Sequence, residues 1–127
     1  MQERGTTMRE DQIVSILDEL NGSSADIKAS AVISTDGLMI ASLLPPGLDE
    51  DRLGAMNAAI LTLGERSAHE LGCGDLEQVM VKGKTGYILM THSGQDAVLS
   101  VLANPSAKLG LIFLDAKRAA ERVASIL

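Results

Sequence analysis

The first forty residues change from helix-like to strand-like spacing of apolar positions. One narrow apolar stripe recurs at intervals of three and four residues, formed by Ile13, Ile16, Leu17 and Leu20. Thr7 and Glu10 before it have the spacing of a capping box, and Asn21 and Gly22 after it tolerate the left-handed backbone that ends helices. The pattern predicts a helix that buries a single face.

Short apolar runs separated by turn residues predict five strands. Two runs between Ala29 and Leu44 flank Asp36-Gly37, a dipeptide suited to a tight hairpin. Three more candidate strands follow at residues 76–82, 85–92 and 96–103, joined by very short glycine-containing connections. Connections of this length require antiparallel pairing. The last two runs do not alternate cleanly, which indicates that both faces of the sheet are covered.

A second helix is predicted over residues 50–71, because Asp49 is a favourable N-cap that follows a Pro-Pro-Gly break. Its larger apolar residues suggest a core stripe: Leu53, Met56, Ile60, Leu63, Ser67 and Leu71. Another side carries small residues where a solvated helix usually carries charge: Ala55, Ala58, Ala59 and Thr62. Either alanine serves there as a good helix former on a surface, or a second helix packs against that side.

The last helix is expected to start at Asn104 as N-cap with Pro105 in its first turn. The predicted order of elements is therefore α-β-β-α-β-β-β-α, an α+β fold with helices on both faces of the sheet. A chain of 127 residues supports one domain, which we expect to span residues 8–127 after a flexible segment at residues 1–7.

Composition and charge exclude several classes of function. One Tyr, one Phe and no Trp provide no platform for stacking nucleic-acid bases, and a net charge of −6 opposes binding of a polyanion. No apolar run approaches the length of a membrane span, and the amino terminus does not have the pattern of a signal peptide. The lone Cys73 excludes an internal disulfide. We expect a cytoplasmic protein with no nucleic-acid partner and no membrane insertion.

The string Gly83-Lys84-Thr85 does not complete a phosphate-binding loop. The first glycine of that motif would fall at position 78, which is Gln78, and the residues that follow are predicted to form a strand and not a helix. A hairpin turn is the better interpretation, so no nucleotide cofactor is expected.

No other pattern selects a catalytic or metal site. The only histidines, His69 and His92, lack a second histidine four residues away, and Cys73 between two glycines resembles a loop thiol. Glu65 and His69 are four residues apart, a spacing more typical of a surface contact on a helix than of a catalytic dyad. We therefore expect no enzyme activity, no catalytic residue, no metal and no cofactor.

Three stretches together resemble the roadblock (dynein light chain) family, in particular its bacterial MglB-like branch. They are the first hairpin at residues 32–42, the start of the third strand at residues 74–79, and two parts of the last helix at residues 109–111 and 118–122. Each motif is mostly turn glycines and apolar spacing, but their order and separations are specific.

The resemblance implies a profilin-like, five-stranded antiparallel sheet with the second helix on one face and the terminal helices on the other. It also implies a homodimer joined through the second helix and third strand, and a non-catalytic role in regulating a small Ras-like GTPase. The small side chains Ala55, Ala58, Ala59 and Thr62 would then lie in the dimer interface. The residues flanking that seam are candidates for GTPase binding: Arg52, Glu65, Arg66 and His69.

Two other functions are consistent with the same residues. One is a structural adaptor, similar to a light-chain subunit of a larger complex. The other is a small-ligand sensor, which would need a pocket with a few convergent polar groups.

Overall fold

The helices and strands follow the predicted order in the computed structural model, which describes the backbone of residues 4–127 and the side chains from Met8 onward. Their bounds are α1 Arg4–Gly22, β1 Ile27–Ser34, β2 Met39–Leu43, α2 Glu50–Glu70, β3 Gln78–Gly83, β4 Gly86–His92, β5 Ala97–Ala103 and α3 Leu109–Ala124. The α+β fold class predicted from the sequence is confirmed.

The five strands form one antiparallel sheet in the order β2-β1-β5-β4-β3. The predicted hairpin turn at Asp36-Gly37 joins β1 to β2, and Gly37 adopts a φ of +96°, in the range that favours glycine. Its N–H donates to the carbonyl of Ser34 at 2.9 Å. Because the last three strands are sequential but β5 pairs with β1, the first hairpin and β4 flank the central strand β5.

Helices cover both faces of the sheet, as predicted. α1 and α3 pack on one face around a large core that includes Leu17, Leu99 and Ile112, whereas α2 packs on the other face around Leu61. The guanidinium of Arg122 on α3 donates to the carboxylate of Glu19 on α1 at 2.8 Å, and this hydrogen bond lowers the pKa of Glu19. The α1–α3 layer is therefore the main core, and the α2 layer is thinner.

Two predicted helix starts differ from the structure. α1 begins at Arg4, ahead of the predicted cap, and the side chain of Thr7 in the expected capping box lies outside the described residues. α3 begins at Leu109 with Lys108 as N-cap, so the prediction of a start at Asn104 is wrong. Asn104 instead accepts a turn hydrogen bond from the N–H of Ala107 at 3.1 Å, because its Asn-Pro signal suits a turn as well as a helix cap.

α2 begins where the sequence predicts. The side chain of Asp49 accepts hydrogen bonds from the backbone N–H groups of Asp51 and Arg52, at 3.0 and 3.4 Å. These contacts satisfy donors that the first turn of a helix leaves free. The predicted position of the second helix is confirmed to within one residue at its carboxyl end.

The predicted core stripe of α2 is wrong for four of its six members, because Ser67 and three large apolar residues are exposed. Met56, Leu63 and Leu71 are 53%, 66% and 79% exposed. The residues that α2 buries are Gly54, Asn57 and Leu61. The helix is thus rotated from the predicted orientation, and several of its large apolar residues point away from the sheet.

Close approach of α2 to the first hairpin explains this rotation. A Cβ atom at position 54 would collide with the backbone carbonyl of Gly37, and one at position 64 would lie 3.3 Å from the side chains of Leu76 and Val79. Only a residue without a side chain fits at Gly54 unless the backbone moves. Glycine at this position therefore fixes which side of α2 faces the sheet.

We predict that Gly54→Ala lowers the free energy of unfolding by about 1–3 kcal/mol, because overpacking against backbone outweighs the gain of about 1 kcal/mol in helix propensity. Gly110→Ala is the matched control, since a Cβ there meets nothing within 4 Å. We expect the control to stabilise the protein by up to about 1 kcal/mol. Urea denaturation at equilibrium measures both, and equal stability of the two variants would contradict the close-contact argument.

Candidate functional site

The side of α2 turned away from the sheet is an exposed, largely apolar surface, here called the α2 outer face. Its residues are Ala55, Met56, Ala59, Thr62 and Leu63, and all five are exposed. A contiguous exposed apolar surface on a small domain is typical of an interaction site. The α2 outer face contains both small side chains, which permit close approach, and large ones that lose contact with water when covered.

Three of the four residues predicted for the dimer interface lie on this face. Ala55, Ala59 and Thr62 are exposed, whereas Ala58 is half-buried. Ala58 sits beside the first hairpin, where its Cβ would lie 3.3 Å from a Cβ built on Gly37. Met56 and Leu63 also belong to the face, although the sequence pattern assigned them to the core.

A shallow depression of about 500 Å³ extends the α2 outer face towards the first hairpin. Its lining residues are Thr35, Asp36, Ala58, Ala59, Thr62, Leu63 and Arg66. One predicted partner-binding residue, Arg66, is therefore adjacent to the predicted dimer residues. Its Nε lies 2.8 Å from a carboxylate oxygen of Glu70, one turn further along the helix. Both side chains are well exposed, so this pair contributes little to stability.

The structure does not bring the four predicted partner-binding residues together. Arg52 lies in the first turns of α2, about 21 Å along the helix axis from Arg66 by the rise per residue. Glu65 and His69 point to a different side of the helix and line a separate concave surface. The four residues thus divide into three places on α2 and do not form one cluster.

The concave surface beside Glu65 and His69 is a groove of about 810 Å³, here called the end groove. It lies where the carboxyl end of α2, the start of β3, the end of β4 and α3 meet. Its apolar wall is formed by Leu76, Phe113 and Leu114. Its polar and charged lining residues are Glu65, His69, Asp75, Glu77, Gln78, Thr91, His92, Gln95, Lys117 and Glu121.

Carboxylates dominate the charge of the end groove. Glu65, Asp75, Glu77 and Glu121 line it, with Lys117 as the lysine among them. The two histidines face carboxylates at long range: His69 Nε2 lies 3.5 Å from Asp75, and His92 Nε2 lies 3.9 Å from Glu65. The groove therefore favours a cationic group over an anionic one.

The sequence analysis missed the end groove, because four elements distant in the chain build it. A local signal existed only for Glu65 and His69, whose four-residue spacing places them on one side of a helix. His92 is the last residue of β4, and its position opposite Glu65 depends on how α2 crosses the sheet.

The described residues contain no recognisable metal site. Among them no group of three His, Cys, Asp or Glu residues is arranged to hold a metal ion. The predicted turn of the β3–β4 hairpin is present, formed by Lys84 and Thr85 and so one residue later than the predicted Gly83-Lys84, and Cys73 is an exposed loop residue. Among the residues that the structure describes, no helix is long and apolar enough to cross a membrane.

Comparison with known sequences identifies relatives of similar length. The uncharacterized protein MJ1340 of Methanocaldococcus jannaschii is 44% identical over 108 residues, which cover 85% of this chain and 93% of the relative. This degree of identity across most of both chains indicates a common family.

Solved structures share the fold. MglB of Myxococcus xanthus superposes with a TM-score of 0.84 at 22% identity, covering 91% of this chain and 94% of that one. A profilin of Schizosaccharomyces pombe superposes with a TM-score of 0.64 at 13% identity, covering 88% and 96%. The fold is thus profilin-like, as the sequence resemblance implies.

The family model of the Roadblock/LC7 domain matches residues 13–103, and the chain belongs to this family.

Proposed function

We propose that this protein is a non-catalytic, dimeric regulator or scaffold that binds a small Ras-like GTPase. The observation that carries the proposal is the α2 outer face, an exposed apolar surface on a domain whose sequence places it in the Roadblock/LC7 family. The resemblance to the MglB-like branch supplies the expectation of a GTPase partner, and the likeness of fold to MglB is consistent with it.

Self-association through the α2 outer face would remove its large apolar side chains from water. Met56 and Leu63 are more than half exposed in the single chain, and covering that exposed part would contribute about 1–2 kcal/mol each, somewhat over half of the value for burying a fully exposed side chain of this size. Ala55 and Ala59 between them allow two helix backbones to approach closely. In a symmetric dimer the same face would serve both copies.

The charged residues around the α2 outer face are proposed to meet the GTPase. Arg66 borders the face, Arg52 lies towards its amino end, and Glu65 and His69 open onto the end groove. Their separation suits a broad contact across a pair of α2 helices better than a compact pocket. Charges at the rim of an interface act mainly on association rate and specificity.

The proposal assigns the chemistry of GTP hydrolysis to the partner. This chain offers a hairpin turn at Lys84 where a phosphate-binding loop would need a helix, so it is proposed to regulate or position a nucleotide-binding protein without binding nucleotide itself. An adaptor role would use the same surfaces without dependence on the nucleotide.

We predict that Ala59→Arg converts the protein from a dimer to a monomer at tens of micromolar, because a long charged side chain would enter the centre of the seam. Multi-angle light scattering measures the mass. Ser15→Arg is the control, since Ser15 is exposed on α1, on the opposite face of the sheet. A dimer that persists in Ala59→Arg would place the interface elsewhere.

We predict that a Ras-like GTPase is captured from native lysate on the immobilised protein in the presence of a non-hydrolysable GTP analogue, and less in the presence of GDP. With the purified GTPase, Arg66→Glu should weaken the complex several-fold by calorimetry, while dimer mass and thermal midpoint stay nearly unchanged. Arg9→Glu is the matched charge reversal at an exposed position of α1, and this variant should bind the GTPase as the wild type does. Equal affinity of Arg66→Glu and wild type at two salt concentrations would reject this surface, and capture independent of nucleotide would favour the adaptor.

We predict that the purified protein alone neither binds nor hydrolyses GTP in the presence of Mg²⁺. Filter binding with labelled GTP and phosphate release provide the measurements. Saturable, magnesium-dependent binding would overturn the non-catalytic assignment.

A further inference from the structure

The end groove combines an apolar wall with a charged border, and its α3 side has no role in the proposed function. Leu114 is 43% exposed there, and Leu76 and Phe113 in the same groove are half-buried. Glu77 and Glu121 on the border are exposed. Large apolar side chains that line a concave surface and contact water are stabilised when a ligand covers them.

Helix α3 contributes one strip of its surface to the groove. Phe113, Lys117 and Glu121 follow one another at intervals of four residues, which places their side chains along one side of the helix. Leu114 lies next to Phe113 in the sequence and also lines the groove. Leu111 on the same helix is 59% exposed but is not a lining residue. The helix therefore has one exposed leucine inside the groove and one outside it.

Strands β3 and β4 form the floor of the groove on the α3 side. Val79 packs with Leu61 on the α2 side of the sheet, so its neighbour Gln78 faces α3. Thr91 pairs with Gln78 across the two strands, and opposed residues lie on the same face of the sheet. The floor thus has an amide and a hydroxyl group, which are uncharged and able to form hydrogen bonds.

The free backbone edge of β3 is separate from this floor. Gly83 pairs with Gly86 across a two-residue turn, and the register continues without a shift, so Val79 and Val81 exchange hydrogen bonds with β4. The outward backbone groups are those of Gln78, Met80 and Lys82. These groups lie in the plane of the sheet, whereas the side chains that line the groove stand out of that plane. A ligand that contacts the groove side chains therefore does not need the backbone edge.

Negative charge in the groove is only partly matched by cations of the chain itself. Four carboxylates line the groove together with the lysine Lys117. Glu65 and Asp75 face histidines, whereas among the described side chains Glu77 and Glu121 make no ion pair. The carboxyl end of α2, which carries partial negative charge, lies at the same place. The electrostatic field of the groove therefore attracts a basic ligand.

We propose that the end groove binds a segment of a partner protein in which lysine or arginine lies next to large apolar side chains. The apolar side chains would cover Phe113 and Leu114, and the basic groups would reach Glu77 and Glu121. Hydrogen bonds between such cations and carboxylates are stronger than those between neutral groups. The proposal does not depend on the GTPase, because it uses residues on the α3 side of the sheet.

An extended segment suits the groove better than a compact small molecule or a second copy of this chain. Pockets for small molecules enclose most of the ligand, whereas the border residues of this groove are exposed. A segment whose two ends continue into solvent does not need to be enclosed, and about 810 Å³ has room for several side chains. A second copy carries a net charge of −6, which opposes its docking in an acidic groove.

Fluorescence anisotropy with a labelled synthetic peptide tests the proposal. The probe has three arginine-leucine repeats between glycine-serine ends, and it is titrated in about 0.15 M salt so that weak surface attraction is screened. We expect saturable binding of one peptide per chain. Two control peptides, with serine in place of every leucine or glutamate in place of every arginine, should bind at least tenfold more weakly.

Variants of the groove locate the binding site. Leu114→Ser and Glu121→Lys should each weaken binding of the probe at least fivefold. Their matched controls are Leu111→Ser, which changes an exposed leucine of the same helix, and Glu10→Lys, which reverses an exposed charge on α1. Both controls should bind the probe within twofold of the wild type.

Three results would overturn the proposal. They are a wild-type protein without saturable binding, equal weakening by Glu121→Lys and Glu10→Lys, and binding of the serine peptide as tightly as the probe. A lower mass of Leu114→Ser by light scattering would also overturn it, because a second copy would then cover the groove. Failure of a wild-type protein that binds the probe to capture a GTPase would contradict the proposed function and leave this proposal standing.

Discussion

The contact between Gly54 and the backbone of Gly37 sets the rotation of α2, and the surface of the protein depends on that rotation. With glycine turned towards the first hairpin, Gly54, Asn57 and Leu61 face the sheet, and Met56 and Leu63 face solvent. The inner contact is correspondingly thin. Among the described side chains, Asn57 Oδ1 and Ser100 Oγ are buried without a hydrogen-bond partner, and each such atom reduces the stability of its surroundings. Apolar contacts made by the α2 outer face with a second copy would add stability that the contact between α2 and the sheet does not supply.

Two incomplete surfaces thus lie on adjoining parts of the molecule. The α2 outer face lacks an apolar cover, and the β3 edge lacks hydrogen-bond partners. In the proposed dimer a single two-fold operation would cover both, whereas an arrangement that turned the two helices to opposite sides of the sheet would need separate partners. In the proposed dimer Arg66 would lie beside the seam and the end grooves outside it, where a third protein would have access.

Local signals in the sequence were sufficient for most of the fold. Asp49 identifies the start of α2 because a cap acts on the N–H groups next to it, and Asp36-Gly37 identifies a hairpin because glycine permits the turn. The start of α3 was misplaced because Asn104-Pro105 is equally suited to a turn.

The orientation of α2 could not be obtained in this way. Apolar residues at helical spacing predict that Met56 and Leu63 are covered, but they do not specify what covers them, and in the structure both are exposed. The requirement for Gly54 becomes visible only when Gly37 lies beside it. The end groove could not be predicted for the same reason, since Glu65 and His92 come close only because α2 crosses the sheet.

Residue-resolved amide hydrogen exchange at increasing protein concentration tests most directly the claim that β3 and α2 form one self-association surface. The account predicts that the N–H groups of Gln78, Met80 and Lys82 become protected as concentration rises, while the N–H groups of Val79 and Val81, already bonded to β4, and those of the opposite edge strand β2 change little. Exchange of the three outward N–H groups at unprotected rates, in samples that are dimeric by mass, would contradict it.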